Sequence, residues 1–184
     1  WNTISEFVVS PAKSTAKGNF AGYAGQTHSQ IQTLNEINVE DLPRFSSGLK
    51  ELDRVLGGGI VPGSAILIGG SPGAGKSTLL LQVMCQQAAT KSALYVTGEE
   101  SLQQVAMRAR RLGLPDDKLM MLAETNVEMI CDLALKQKPQ IMVIDSIQVM
   151  HVSDVQSAPG SVSQVRESAA YLTRFAKQHH IAMF

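Results

Sequence analysis

The chain has 184 residues, 44% of them hydrophobic, and its 16 basic side chains balance its 16 acidic ones. This length and apolar content suffice for one globular domain with a sizeable core. Zero formal net charge provides no global basic field, so any DNA site must be local or shared between subunits. The sequence has no run of about 18 apolar residues that could span a membrane, and no signal-peptide pattern.

Residues 1–43 are predicted to form an N-terminal arm and a flexible linker. The stretch 11–30 is rich in Ser, Gly, Ala, Lys, Gln and Thr, which is typical of a flexible segment. After Pro43 a short helix is predicted, with Ser47 as its N-cap. Its apolar face would consist of Leu49, Leu52, Val55 and Leu56. Residues 44–184 are predicted to form the folded core.

From Ala65 onward, short apolar runs alternate with helical patterns. Strands are predicted at 65–69, 92–97, 118–122, 140–145 and 181–184. Helices are predicted at 76–89, 101–112, 126–137 and 162–179. This alternation predicts an α/β fold with a mostly parallel sheet covered by helices on both faces.

Two of these helices carry further signals. Thr125 and Glu128 have the spacing of a capping box at the start of the third helix. The last helix has an apolar stripe that is expected to face the core, with a partner groove as the alternative. The stripe consists of Val162, Val165, Ala169, Leu172 and Ala176. Cys85 and Cys131 fall at apolar helix positions, which predicts buried free thiols in a reducing cytoplasm.

Residues 70–77 match the phosphate-binding pattern G-x-x-x-x-G-K-[ST] without substitution. The predicted nucleotide site comprises Gly70, Ser71, Pro72, Gly73, Ala74, Gly75, Lys76, Ser77 and Thr78. Lys76 would reach the β- and γ-phosphates of ATP, and the Ser77 hydroxyl can ligate Mg²⁺. A buried strand before the loop and a helix after it make a chance glycine-rich turn the weaker alternative.

Hydrolysis also needs a metal-holding acid and a group that orients water. Asp145 follows four apolar residues of a predicted buried strand, and its expected place at the strand's carboxyl end suits a Mg²⁺ ligand. The alternative is an ordinary aspartate capping a turn. Glu99 and Glu100 follow another buried strand. Glu99 is predicted to be the base or water-orienting residue, and Glu100 to charge or cap the next helix. The alternative is that both only decorate that helix start.

Three further features leave alternatives open. Arg108, Arg110 and Arg111 are expected to form a solvated face at a helix end, with an adenine or ribose contact by Arg108 as the alternative. The loop 148–163 is long enough to be mobile or functional, and could sense a polymer or a neighbouring subunit. It lacks aromatic residues, so a base-stacking platform is not predicted. The histidines show no metal-ligand spacing with the cysteines, so no zinc site is predicted within the chain.

Several motifs in order, over about residues 40–184, resemble the RadA (Sms) family of bacterial DNA repair proteins, relatives of RecA. They are Arg44–Leu49 with Glu51–Gly59, the P-loop, Gly98–Ser101, Ile144–Ser146 and Ser163–Glu167. The resemblance implies a RecA-like P-loop core that binds ATP and Mg²⁺ between subunits of a ring or filament. By position, Glu99 matches the family's catalytic glutamate and Asp145 its Walker B acid.

The resemblance also implies a DNA-dependent ATPase of homologous recombination. Such a protein would be a cytoplasmic, hexameric ring that promotes branch migration, with single-stranded or branched DNA, RecA and other recombination proteins as partners. It implies a four-cysteine zinc finger before Trp1, and a Lys-Asn-Arg-Phe-Gly motif and a Lon-like domain after Phe184. Zinc is therefore expected only in that finger. Alternative functions are a KaiC-like regulatory ATPase or kinase, and a nucleotide-gated interaction switch that uses the loop 148–163.

Overall fold

A computed structural model describes residues 33–36 and 43–184. The predicted arm and linker lie almost wholly outside the described residues, apart from a single 3₁₀ turn at Leu34–Glu36. No helix in the described ranges has both the length and the apolar character needed to cross a membrane.

The central element is a sheet of four parallel strands in the order β2-β1-β3-β4. The strands are β1 (Ala93–Thr97), β2 (Met120–Ala123), β3 (Ile141–Asp145) and β4 (Ala182–Met183). The helices are α1 (Lys50–Val55), α2 (Lys76–Ala88), α3 (Leu102–Arg111), α4 (Val127–Gln137) and α5 (Val162–Gln178). The predicted α/β fold with a mostly parallel sheet is confirmed.

Each face of the sheet has its own apolar core, because successive side chains of a strand point to opposite faces. On one face, Tyr95, Ile141 and Val143 are buried in a cluster with residues of α2 and α3. On the other, Met142 and Ile144 are buried with residues of α4 and α5. Both central strands are therefore apolar almost throughout, which explains why sequence patterning located them correctly.

The prediction of a buried strand at 65–69 is wrong in part. Backbone hydrogen bonds join this segment to β4, since Ile66 N donates to Met183 O at 2.8 Å, but only Ala65 forms a β-bridge. Leu67 is 84% exposed, because the segment pairs with a strand on one side only within the described part of the chain. As a result, β4 lies between the segment that leads into the P-loop and the strand that carries Asp145.

The predicted helix after Pro43 exists, but its packing differs from the expectation. None of the residues in α1 is buried, and Val55 is 74% exposed. Ser47 does not cap α1: it is fully buried, and its hydroxyl bonds the backbone of Leu49. The Asp53 carboxylate instead accepts the backbone N–H of Ser47 at 2.6 Å. Six residues are too few for helical periodicity to predict a buried face.

The predicted capping box of α4 is also wrong. Asn126 is the N-cap, and its side-chain oxygen accepts the backbone N–H of Met129 at 2.8 Å. The Glu128 carboxylate accepts the backbone N–H of Ser153 at 2.9 Å, so it holds the long loop and not the helix start. Asn is as good an N-cap as Thr or better, and the sequence places both residues side by side.

The buried face of α5 includes Leu172 and Ala176 of the predicted stripe but differs from it elsewhere. Val162 is 85% exposed, whereas Gln164 and Ser168 are 2% and 0% exposed. The Gln164 amide donates to the carbonyls of Val155 at 2.8 Å and Ser157 at 3.0 Å, and its oxygen accepts Val152 N–H at 3.0 Å. These bonds tie the loop 148–163 to α5 and satisfy backbone groups that burial would otherwise leave unpaired.

The two cysteines are buried free thiols, as predicted. Burial raises the pKa of Cys131 to about 12 and also raises the pKa of Cys85. Both therefore act as small apolar side chains of the core.

Replacing Gln164 with Ala should lower the free energy of unfolding by about 2–3 kcal/mol, because buried backbone groups of the loop would lose their partners. Urea unfolding of the full chain measures this loss, and limited proteolysis should show faster cleavage within 150–161. Gln178→Ala, at the exposed end of the same helix, is the control and should change neither. Equal behaviour of the two variants would contradict this role of Gln164.

Candidate active site

The P-loop follows an extended segment that is hydrogen-bonded to β4, and it leads directly into a helix. Residues 70–75 are exposed, and α2 begins at Lys76 with Gly75 as its N-cap. Gly75 has a φ of 84°, a left-handed conformation that glycine adopts without steric cost. With no side chain at the cap, the first-turn N–H groups of α2 and its dipole face the loop, which favours an anion there.

Lys76 lies across the loop that it follows. Its ammonium donates to the carbonyls of Gly70 at 2.8 Å and Ser71 at 3.0 Å. A lysine ammonium has three donors, so one remains for an anionic ligand while the other two hold the side chain at the loop. This geometry suits the predicted contact with β- and γ-phosphates, which stays a prediction.

Asp145 ends β3 and lines a cavity of about 250 Å³ together with Lys76 and Ser146. The structure therefore brings the lysine of the P-loop and the acid of the β3 end to one space. Most of the cavity wall is apolar, and its charged side chains are those of Lys76 and Asp145. The apolar lining includes Ile66, Leu67, Ile68, Leu80, Ile144, Leu172 and Phe184.

Tyr95 is a site residue that the sequence analysis missed. It is fully buried in the middle of β1, and its hydroxyl donates to Asp145 Oδ2 at 2.5 Å. Burial raises the pKa of Tyr95 well above its usual range, and the hydrogen bond to Asp145 adds to this shift. A tyrosine in an otherwise aliphatic strand that precedes two carboxylates was the one available signal, since a buried phenol needs a partner.

The two adjacent glutamates point to different partners. Glu99 is exposed and accepts a hydrogen bond from the Ser146 hydroxyl, next to Asp145. Glu100 forms a salt bridge with Arg108 at 2.8 Å. The geometry supports Glu99 over Glu100 as the acid that faces the reaction, and its role in hydrolysis stays a prediction.

The structure contradicts a capping role of Glu100 at the start of α3, because another residue is the N-cap. Ser101 caps α3, accepting the backbone N–H of Gln104, and the Gln104 side chain accepts the backbone N–H of Ser101 at 2.8 Å. This reciprocal pair is a capping box. The S-x-x-Q spacing of this box is visible in the sequence.

The three arginines of α3 separate in the structure. Arg110 and Arg111 are exposed, as expected for a solvated helix end. The Arg108 side chain is only 15% exposed and is paired with Glu100, so the solvated-face prediction is wrong for it. Within residues 43–184 none of its hydrogen bonds reaches the P-loop, and this geometry favours a structural partner over the predicted adenine or ribose contact.

Gly98 brings the β1 end close to the start of the long loop. A Cβ placed there would lie 2.5 Å from Val149 Cγ2 and 2.9 Å from Met150 Cε, closer than van der Waals contact allows. Its backbone N–H also donates to Asp145 O at 2.9 Å. The absence of a side chain at 98 thus allows Glu99 to lie beside the Asp145–Ser146 strand end.

The donor set suits Mg²⁺–ATP. The Ser77 hydroxyl and the Asp145 carboxylate are hard oxygen donors, which Mg²⁺ prefers. Among the described residues, no group of three or more His, Cys, Asp and Glu could hold a metal. Mg²⁺ commonly binds through one or two protein oxygens together with substrate phosphates, and the residues present fit that mode.

Comparison with known proteins agrees with this geometry. A family model described as "ATPase: KaiC" matches residues 45–130. A DNA repair protein RadA from Haemophilus influenzae is 68% identical over the whole chain, and those from Escherichia coli and Bacillus subtilis are 63% and 44% identical. Over its whole length the chain is similar to these RadA proteins. It spans about 40% of the length of these relatives, and its fold is that of a RecA-like P-loop ATPase domain.

Glu99→Gln in the full-length protein should bind ATP but hydrolyse it at least about 100-fold more slowly, the scale expected for losing a positioned base. Glu100→Gln is the matched variant and should retain most activity, because Glu100 is turned toward Arg108. Steady-state phosphate release measures hydrolysis by each variant, and a nucleotide-binding assay measures its ATP binding. The reverse pattern would contradict the assignment of Glu99.

Gly98→Ala should lower the free energy of unfolding by about 1–3 kcal/mol, since the added methyl overpacks a tight contact. Gly69→Ala is the control, because a Cβ at 69 meets nothing within 4 Å. Thermal unfolding of both variants gives the comparison. Similar stability of the two would show that Val149 and Met150 yield readily to the methyl group.

Proposed function

We propose that this chain is the ATP-hydrolysing core of a DNA-dependent ATPase of homologous recombination and DNA repair, which acts as a ring-forming motor in branch migration. The observation that carries this proposal is the meeting of Lys76 and Asp145 in one cavity, with Glu99 bonded to the adjacent Ser146. The names of the relatives, DNA repair protein RadA, supply the biological setting.

Each residue of the site has a separate role in the proposed hydrolysis. The P-loop N–H groups and Lys76 would hold the β- and γ-phosphates, and Ser77 and Asp145 would hold Mg²⁺. When bound, the metal neutralises charge that develops on the phosphate oxygens. Glu99 would accept a proton from the attacking water or orient it, and the Ser146 hydroxyl holds that carboxylate in place.

The exposure of the site supports action within an assembly. Residues 70–75 and Glu99 are exposed, as expected if a neighbouring subunit covers ATP and completes the site. A hexameric ring is the proposed assembly, and the buried free thiols suit a reducing cytoplasm.

DNA contact is proposed to involve several subunits, because the formal net charge of the chain is zero. The loop 148–163 contains no Lys or Arg. Its contacts to single-stranded or branched DNA would therefore be hydrogen bonds from backbone N–H and Ser groups and not ion pairs. RecA and other recombination proteins are proposed as further partners, and the zinc finger as part of the longer protein.

A KaiC-like regulatory ATPase or kinase is the second candidate, since the matching family model carries the KaiC description. A kinase would transfer the γ-phosphate to a serine or threonine of a protein, whereas a DNA motor would transfer it to water. Radiolabel transfer from γ-labelled ATP to protein therefore separates the two functions.

The proposed function predicts that single-stranded DNA stimulates ATP hydrolysis by the full-length protein, and that Lys76→Ala abolishes the activity with and without DNA. Without Lys76, the negative charge of the β- and γ-phosphates would have no cationic partner in the P-loop. Phosphate release is measured with and without DNA, beside Lys136→Ala, an exposed lysine in the last turn of α4, as the control. Lysine-dependent hydrolysis that is indifferent to DNA would overturn the motor and favour the regulatory ATPase.

A further inference from the structure

We propose that Tyr95 is a positioning residue for Asp145, whose carboxylate it orients so that one oxygen is presented to Mg²⁺. This inference rests on the proposed ATP-dependent function. The Tyr95 hydroxyl bonds Asp145. Within the described residues it forms no hydrogen bond with Lys76 or Glu99.

Strand register puts the Tyr95 hydroxyl within reach of Asp145. Tyr95 lies opposite Val143 in the parallel pairing of β1 with β3, and Asp145 lies two residues further along β3 on the same face. The phenol ring extends along the sheet toward its carboxyl edge, and its hydroxyl meets Asp145 Oδ2 at 2.5 Å. A shorter side chain at 95 would leave that distance unspanned.

The position of the hydroxyl is fixed by packing. Tyr95 is 0% exposed and lies in the core cluster that includes Leu81, Met84 and Val105. Side chains in such close-packed surroundings occupy single rotamers. The packed ring therefore holds its hydroxyl at a fixed position near the carboxyl edge of the sheet.

The hydrogen bond distinguishes the two oxygens of the Asp145 carboxylate. In the described part of the chain, the Tyr95 hydroxyl is the only group that donates to this carboxylate. One lone pair of Oδ2 is thereby engaged, whereas Oδ1 accepts no hydrogen bond within the described part of the chain.

Metal sites depend on such outer partners. Removing a group that orients a metal ligand typically costs 10–100-fold in metal affinity. Asp145 is a single carboxylate at a site with few protein oxygens, so its orientation matters more than in a cage of many ligands. A phenylalanine at 95 would keep the packing and delete only the donor.

The test compares Tyr95→Phe with Tyr171→Phe in the full-length protein. Tyr171 is a half-buried tyrosine of α5 beside Cys131 and Asp132, away from Asp145, so it controls for loss of a phenol hydroxyl. Binding of a fluorescent ATP analogue is measured in EDTA and across a Mg²⁺ titration. Tyr95→Phe should raise the Mg²⁺ concentration for half-saturation about 10-fold and leave the affinity in EDTA unchanged. Tyr171→Phe should change neither.

A second measurement separates positioning from stability. In a double-mutant cycle with Asp145→Asn, the Mg²⁺ effect of Tyr95→Phe should vanish, because the tyrosine acts only through that carboxylate. An effect that persists in the Asp145→Asn background would overturn the inference. If Tyr95→Phe unfolds at the assay temperature, 3-fluorotyrosine is placed at 95 or 171 instead, and only the substitution at 95 should shift the Mg²⁺ titration.

Failure of this inference is distinguishable from failure of the proposed function. Equal Mg²⁺ titrations for Tyr95→Phe and Tyr171→Phe would overturn the role of Tyr95 while Lys76→Ala still abolished nucleotide binding. Retention of normal nucleotide binding by Lys76→Ala would overturn the ATP site itself, and the role of Tyr95 with it.

Discussion

The parallel pairing of β1 with β3 is the constraint on which the rest of the site depends. The register sets Thr97 opposite Asp145, so the residues that follow both strands emerge side by side at the carboxyl edge of the sheet. Gly98 then donates to the Asp145 carbonyl, and Glu99 meets Ser146. A slip of one residue would turn Asp145 to the opposite face of the sheet and separate it from Tyr95.

A salt bridge at the start of helix α3 and a hydrogen bond at Asp145 order the residues that follow β1 and β3. Arg108 of α3 pairs with Glu100. The Tyr95 phenol separately donates to Asp145. One carboxylate, Glu100, is thus occupied by a structural ion pair, which leaves its neighbour Glu99 exposed. Two acids adjacent in sequence acquire separate roles because their side chains leave the backbone in different directions.

The long loop after β3 is less free than its composition indicates. Gln164 binds three of its residues from within α5, Glu128 binds Ser153, and His151 forms a bridge with Asn126. A loop held this way keeps a defined shape beside the carboxyl edge of the sheet. The buried anchor is the Gln164 side chain, whose hydrogen bonds are costly to leave unmade.

The sequence alone determined the α/β class, the order of strands and helices, and the P-loop, because these depend on local periodicity and on a motif whose geometry is local. It also identified Asp145 and Glu99 as the acids of interest from their positions after buried strands. It misjudged the segment 65–69, whose pairing partner Met183 lies far away in the chain, and part of the buried face of α5. It also misjudged the cap of α4, where Thr125 and Asn126 are adjacent and both are good N-cap residues. Only the tertiary structure decided that Tyr95 donates to Asp145, that Arg108 forms a salt bridge with Glu100 and that Gln164 holds the loop. Strand register and helix packing bring these residues together.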